Sequence, residues 1–158
     1  MSQTDYNEMG AAIEGAPYDL SEQEVDSYFA EEELPFGHVV AKGTADNQAL
    51  LPAASSDPLV GVVRHVHMSE DALGTTGVLA GNMVSVCRKG RLWMVSETAA
   101  TKGQGCHVRY AGSGAKGAVR NATVSMETID ATAFMRYAES CGVGELVPVD
   151  FDFTNSLA

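Results

Sequence analysis

The chain has 158 residues, 45% of them hydrophobic, and its 10 Lys and Arg stand against 21 Asp and Glu for a formal net charge of −11. That length suits one domain of ordinary size with a real core. The charge gives no general attraction for nucleic acid or an anionic membrane, and no apolar run approaches the roughly 20 residues of a membrane span. Cys87, Cys106 and Cys141 are odd in number and widely spaced, with no C-x-x-C, which predicts reduced thiols in an intracellular protein. The opening MSQTDYNEMG has neither a basic n-region nor an apolar h-region, so a secretory signal is not expected.

The charge is concentrated at one end. Ten of the 21 acids fall within residues 1–33, before the first base, Lys42, and 11 acids against 10 bases remain from Leu34 onward. This predicts two parts: an extended acidic arm, residues 1–33, and a nearly neutral body, residues 34–158. In SEQEVDSYFAEEE, Ser21 and Glu24 match a capping box, and Val25, Tyr28 and Phe29 follow i, i+3, i+4 spacing. They predict a short helix; the alternative is a mobile acidic tail. Tyr18, Leu20, Tyr28 and Phe29 are more apolar than a solvating tail needs and read as anchors for a partner surface. Ordering about 30 residues costs on the order of 30 kcal/mol, so the arm is expected to be mobile in the free protein.

From Leu34 the pattern becomes that of strands. PFGHVVAKG is one, bounded by Gly37 and Gly43. After a break at Pro52 to Pro58, Val60, Val62, Arg64 and Val66 alternate with Val63 and His65. GNMVSVCRKGRLWMVSE reads as a hairpin, Met83 to Cys87 and Leu92 to Ser96, turning near Lys89-Gly90. GCHVRY and AVRNATVSM are further strands. The stretch from Ala131 to Phe153 fits either a helical face (Phe134, Tyr137, Ala138, Cys141) or a strand hairpin turning at Gly142-Val143-Gly144. The hairpin is preferred, and Pro148 then needs an edge or a bulge. Short strands separated by Gly and Pro predict an all-β barrel or jelly-roll-like body.

Gly112, Gly114 and Gly117 form a literal G-x-G-x-x-G. A dinucleotide fingerprint needs a helix directly after it within a βαβ unit. Here Val119, Thr123 and Val124 come next, about 40 residues remain, and Lys116 is succeeded by glycine rather than Ser or Thr. The glycines read as a strand connection. His65-Val66-His67 is an H-x-H pair; with His107 it would make a metal- or ligand-binding β-barrel protein or enzyme, the rival reading. It lacks H-E-x-x-H or C-x-x-C support. Cys106 and His107, adjacent in a strand, point to opposite faces. No catalytic set assembles, so neither an enzyme nor a bound cofactor is expected.

Three segments carry a family pattern. They are Leu34-Pro35-Phe36-Gly37 with Val40 and Gly43; Leu51-Pro52 with Gly61-Val62; and Gly81, Val84, Val86, Gly90 and Trp93. Together they resemble the structural cement (decoration) proteins of tailed bacteriophages, a likeness spanning most of residues 10–153. Met94, where a valine is usual, and the acidic run Glu31-Glu32-Glu33 depart from that pattern. The resemblance implies a β-barrel or jelly-roll-like body with an N-terminal arm, made in the host bacterial cytoplasm and carried on the outer surface of the virion's head. It also implies major capsid protein as partner and association of the chain with itself as a dimer or trimer. Tyr18, Leu20, Tyr28, Phe29, Leu34 and Phe36 become the expected capsid-interface residues.

Overall fold

The computed structural model describes residues 13–19, 22–65 and 77–154. As expected, the body is all-β: the described residues form twelve strands and no helix. These are β1 (Glu24–Ala30), β2 (Leu34–Pro35), β3 (Val39–Lys42), β4 (Gln48–Leu50), β5 (Leu59–Val63), β6 (Gly77–Val78), β7 (Met83–Val95), β8 (His107–Arg109), β9 (Val119–Arg120), β10 (Thr128–Asp130), β11 (Met135–Tyr137) and β12 (Leu146–Asp152). Strand pairing runs β1-β4-β3-β5-β7, and β7 pairs back onto β1, closing a barrel. Closure removes the exposed edges that an open sheet would leave. Only β1 with β4 is parallel within the ring. The short β2–β6 ribbon places Leu34 opposite Val78, both fully buried in the barrel core with Val40, Val60, Val63, Val84 and Val86.

The hairpin expected at Lys89-Gly90 is instead one continuous strand. β7 runs for 13 residues; its first half lies between β5 and β1, its second half beside β12. A two-residue hairpin loop of the I′ type needs left-handed backbone at both central positions, and here Gly90 has φ +150° while Lys89 is not in that region. Val25 sits opposite Cys87 and Glu24 opposite Lys89, so Arg88 is an extra residue, a β-bulge. A bulge reverses the in–out parity of the residues beyond it. Val84 and Val86 point into the barrel core and Cys87, by plain alternation, into a second core; beyond the bulge Leu92 and Met94 fall on the same side as Cys87. One strand thus feeds two cores.

The second core explains a departure in β5. Alternation predicts a half-buried strand, yet all five residues of β5 are buried. Val60 and Val63 face the barrel interior; Leu59 and Val62, with Val39 and Ala41 of β3, face outward under a second layer. That layer comprises β12 and β11 extending from β7, together with the β10-β8-β9 sheet. Its largest buried side chains include Tyr137 and Phe153. The preferred C-terminal hairpin is present: β11 pairs antiparallel with β12. Pro148 lies where β11 stops; its carbonyl accepts the Ala138 N–H, and with no N–H to return, the ladder ends. AVRNATVSM, read as one strand, contributes only Val119–Arg120 before the chain turns.

The N-terminal segment also differs from expectation. The helix read over SEQEVDSYFAEEE is a strand, β1, and residues 13–19 lie along the second half of β7. Gly15 donates to the Trp93 carbonyl, Trp93 to Ala16, and Tyr18 to Arg91. The described residues from 13 to 30 therefore flank β7 antiparallel to it along its length. A capping box is a local signal; burial of Tyr28 and Ala30 in the barrel outweighs it. The acids find cations here too: Arg88 pairs with Asp26 at 3.2 Å, and Arg91 with Asp19 at 3.0 Å. The expectation of mobility took the acidic segment to have no apolar or cationic surface within its own chain, and β7 with the β4–β7 slot supplies both. Residues 1–12 lie outside the described part.

Candidate functional site

The glycine motif has a structural explanation. It forms the connection from β8 to β9 and passes over Arg109, whose side chain is 7% exposed. Arg109 donates to both oxygens of Glu97, at 2.7 and 3.1 Å, to Glu127 at 2.7 Å, and to the Ala111 carbonyl at 2.9 Å. A Cβ on Gly114 would lie 2.3 Å from Arg109 Nε and 2.4 Å from Glu97 Oε1; one on Gly112 would meet Glu127 Oε2 at 2.4 Å. Gly117, at φ +83°, would press on the Val39 carbonyl at 2.5 Å. The glycines make room for an ion cluster in which Arg109 and Arg120 offset Glu97 and Glu127.

The two described residues of the rival reading, His65 and His107, have separate partners. The His65 ring packs against Phe36 at 4.6 Å, and His107 Nδ1 lies 3.3 Å from the Thr123 hydroxyl. His67 is outside the described residues, among which no group of three His, Cys, Asp or Glu side chains is placed to hold a metal ion. Burial pushes the Cys87 thiol up to about 11. Burial, with the neighbouring Cys141, pushes Cys106 up to about 12. Both are inert packing groups. A concavity of about 380 Å³ at the bend of β7 is lined by Lys89, Arg91, Phe134, Arg136, Asp150 and Phe151. Arg91 is already committed there to Asp150.

The expected anchors separate by position. Tyr28 (8% exposed), Leu34 (0%) and Phe36 (7%) are part of the barrel's own core. Tyr18 packs edge-on against Trp93 at 5.3 Å, with the Arg91 guanidinium 5.7 Å from its ring centre. Leu20 lies outside the described residues. Among the five described, Phe29 alone is clearly presented, 43% exposed on the outer face of β1. Opposite it in register stands Met83, 44% exposed, and Val25 is 42% exposed further along β1. Met83 was missed because in the sequence it reads only as the first residue of a strand; its exposure depends on the pairing with β1.

The chain around this apolar face is acidic in composition. Residues 22–65 carry eight Asp and Glu but only Lys42 and Arg64. Two of the three consecutive acids are spoken for locally. The Glu31 carboxylate accepts the Thr44 N–H at 2.6 Å, and Glu32 accepts that of Leu51 at 2.9 Å. They fix the turn leaving β1. Glu33, Glu24 and Asp26 remain at the surface. The described barrel thus presents Phe29, Met83 and Val25 as exposed apolar residues on the outer side of β1 and its pairing with β7.

Comparisons with known proteins bear on the family and the fold. The model of the family described as "Structural cement protein (E217 gp24/Pam3 gp6)" matches residues 1–152. The chain belongs to that family. Among solved structures it is similar to a chain from the capsid of Myoviridae phage XM1, with a TM-score of 0.71 and 16% identity over 89% of both chains. That similarity concerns the fold. A chain from the head fiber gp8.5 N base of bacteriophage phi29 also matches, at a TM-score of 0.44 and 11% identity over 84% of this chain and 96% of that one. No curated protein sequence matches. The family supports a capsid cement role, implies interaction with the capsid and a place in the virion, and is a structural rather than a catalytic one.

Proposed function

We propose that this cement protein binds the outer surface of the assembled head and bridges neighbouring major capsid subunits, as a dimer or trimer of the chain. The observation that carries the reading is the family match over residues 1–152. The face of β1 supports it, because Phe29, Val25 and Met83 are exposed together on a stretch of chain rich in acids. A complementary surface would be basic with an apolar centre, giving charge steering and an apolar contact in one patch. Residues 1–12 and Leu20 act as the contact arm, whereas Tyr18, Tyr28, Leu34 and Phe36 support the barrel that carries it. Self-association uses the β body, as symmetric oligomers are the usual solution.

The test uses heads assembled without this chain. Titration with the full chain and with a Phe29→Ser, Met83→Ser double variant should show at least about tenfold weaker binding by the variant, the effect of losing an apolar anchor. Rising salt should weaken both, because the acidic charge is screened. Equal binding by the two proteins would remove this face from the interface. Failure of the full chain to bind heads at all would end the cement reading.

A further inference from the structure

The turn between β9 and β10 presents a residue that the stability of the chain does not explain. Met126 has φ +63°, the one non-glycine in the left-handed region among the described residues, and it is 84% exposed. Left-handed backbone crowds any side chain with a Cβ, and glycine or asparagine fills it at less cost. A methionine side chain in water offers no compensating burial. Strain of this kind, at an exposed position, motivates a search for a binding role.

The turn is also held firmly. Val124 donates its N–H to the Thr128 hydroxyl at 3.0 Å, and that hydroxyl donates to the Val124 carbonyl at 3.2 Å. The N–H groups of Glu127 and Thr128 both reach the Val124 carbonyl, at 3.1 and 3.2 Å. Tyr110 donates its N–H to the Glu127 carbonyl at 2.9 Å, and the Glu127 carboxylate is tied to buried Arg109 at 2.7 Å. Met126 is therefore flanked on both sides by fixed residues, so a contact made through it loses little freedom on binding. Glu127, the only charged residue from Val124 to Thr128, is already paired. The tip offers an unbranched, polarisable thioether without a free charge, suited to a shallow apolar pocket.

We propose that Met126 is a second contact point of this protein, a rigid knob that seats in an apolar pocket of a capsid shell subunit. The inference rests on the cement reading and deepens it. A bridging protein needs two separate surfaces, and this turn belongs to the second layer while the Phe29–Met83 face belongs to the barrel. A shell subunit is the occupant chosen because the family match supports interaction with the capsid; a second copy of the chain is an outcome that the test distinguishes.

The experiment titrates purified full-length protein onto heads lacking it, at low and high salt, and records thermal unfolding and self-association alongside. Met126→Gly and Met126→Asn relieve the backbone, so their unfolding temperatures should equal or exceed that of the unsubstituted chain. Their affinity for heads should fall tenfold or more, by the same factor at both salt concentrations. Val143→Ser, at an exposed apolar residue (74%) between two glycines, should bind nearly as the unsubstituted chain does. Undiminished binding by Met126→Gly would overturn the proposal while leaving the cement reading intact. So would a large loss of stability in both Met126 variants, which would make the residue structural. Altered self-association with unchanged head binding would assign the knob to a second copy and overturn it as well. If the unsubstituted chain does not bind heads, the cement reading falls and this inference with it.

Discussion

Arg91 and Arg109 each hold two carboxylates, one at the surface of β7 and the other beneath the glycine loop. Arg91 is 32% exposed, and its partners Asp19 and Asp150 are 38% and 46% exposed. Arg109 is 7% exposed, with Glu97 at 18% and Glu127 at 37%. The same fork geometry serves different ends because the surroundings differ. At the surface, water solvates either partner when the pair opens, so Arg91 positions the N-terminal segment on β7 with little energy. Under the loop, an orphaned charge has poor access to water, so the Arg109 cluster must be complete or the local fold fails. The chain uses weak pairing where a segment is laid down and strong pairing where a layer is locked.

Cutting the N-terminal segment in two places separates these roles most sharply. Removing residues 1–33 takes away a barrel wall, along with buried Tyr28 and Ala30, and opens the β4 and β7 edges. We expect loss of cooperative unfolding by circular dichroism, and aggregation. Removing residues 1–12 spares all the described strands and should weaken head binding. A well-folded product lacking residues 1–33 would show that β1 is dispensable to the barrel.

Arg109→Met should rank next. It leaves Glu127 unpaired and Glu97 with Arg120 alone at 3.5 Å; with Glu127 partly exposed, the cost should be about 3 kcal/mol, the low end for breaking a buried pair, to be read from chemical denaturation. Gly114→Ala strikes the same cluster sterically and should cost about 1–3 kcal/mol, as overpacking does. It should leave calorimetric titrations with NAD or ATP as flat as those of the unsubstituted chain. Binding of either nucleotide at micromolar affinity would contradict the structural role of the glycines.

At the surface, Asp19→Asn should cost less than about 1 kcal/mol, and a loss as large as that from Arg109→Met would erase the contrast. The smallest effect concerns the thiols. In the folded protein a thiol reagent at pH 8 should modify half-buried Cys141 first, leaving Cys87 and Cys106 until unfolding. Fast labelling of all three would mean that the cores open readily.

Much of the body was legible because strand signals here are local. Val-rich runs bounded by Gly and Pro located β3, β5 and the β11–β12 hairpin, and Pro148 sits at the end of a ladder as its missing N–H requires. The illegible features depend on contacts distant in the chain. The parity change within β7 arises from a bulge at Arg88 that only the pairing with β1 reveals. β1 itself carries a local helix signal, Ser21 with Glu24, which the slot between β4 and β7 overrides. The candidate contact residues suffered most. Tyr28, Leu34 and Phe36 are as apolar as Phe29, and only barrel closure decides which point inward. The function was legible through short motifs resembling the cement family, whereas Met126 carries no sequence signal, since its left-handed backbone is visible only in the structure.

The central claim proposed is that the Phe29–Met83 face of the barrel and the Met126 turn are the surfaces by which this protein holds shell subunits together. A density map of heads decorated with the full chain, traced through residues 22–65 and 77–154, tests it most directly. The account predicts the chain on the outside of the head, with Phe29 and Met83 against one shell subunit and Met126 seated on another. A map in which both surfaces face solvent, or in which each copy touches a single subunit, would contradict it.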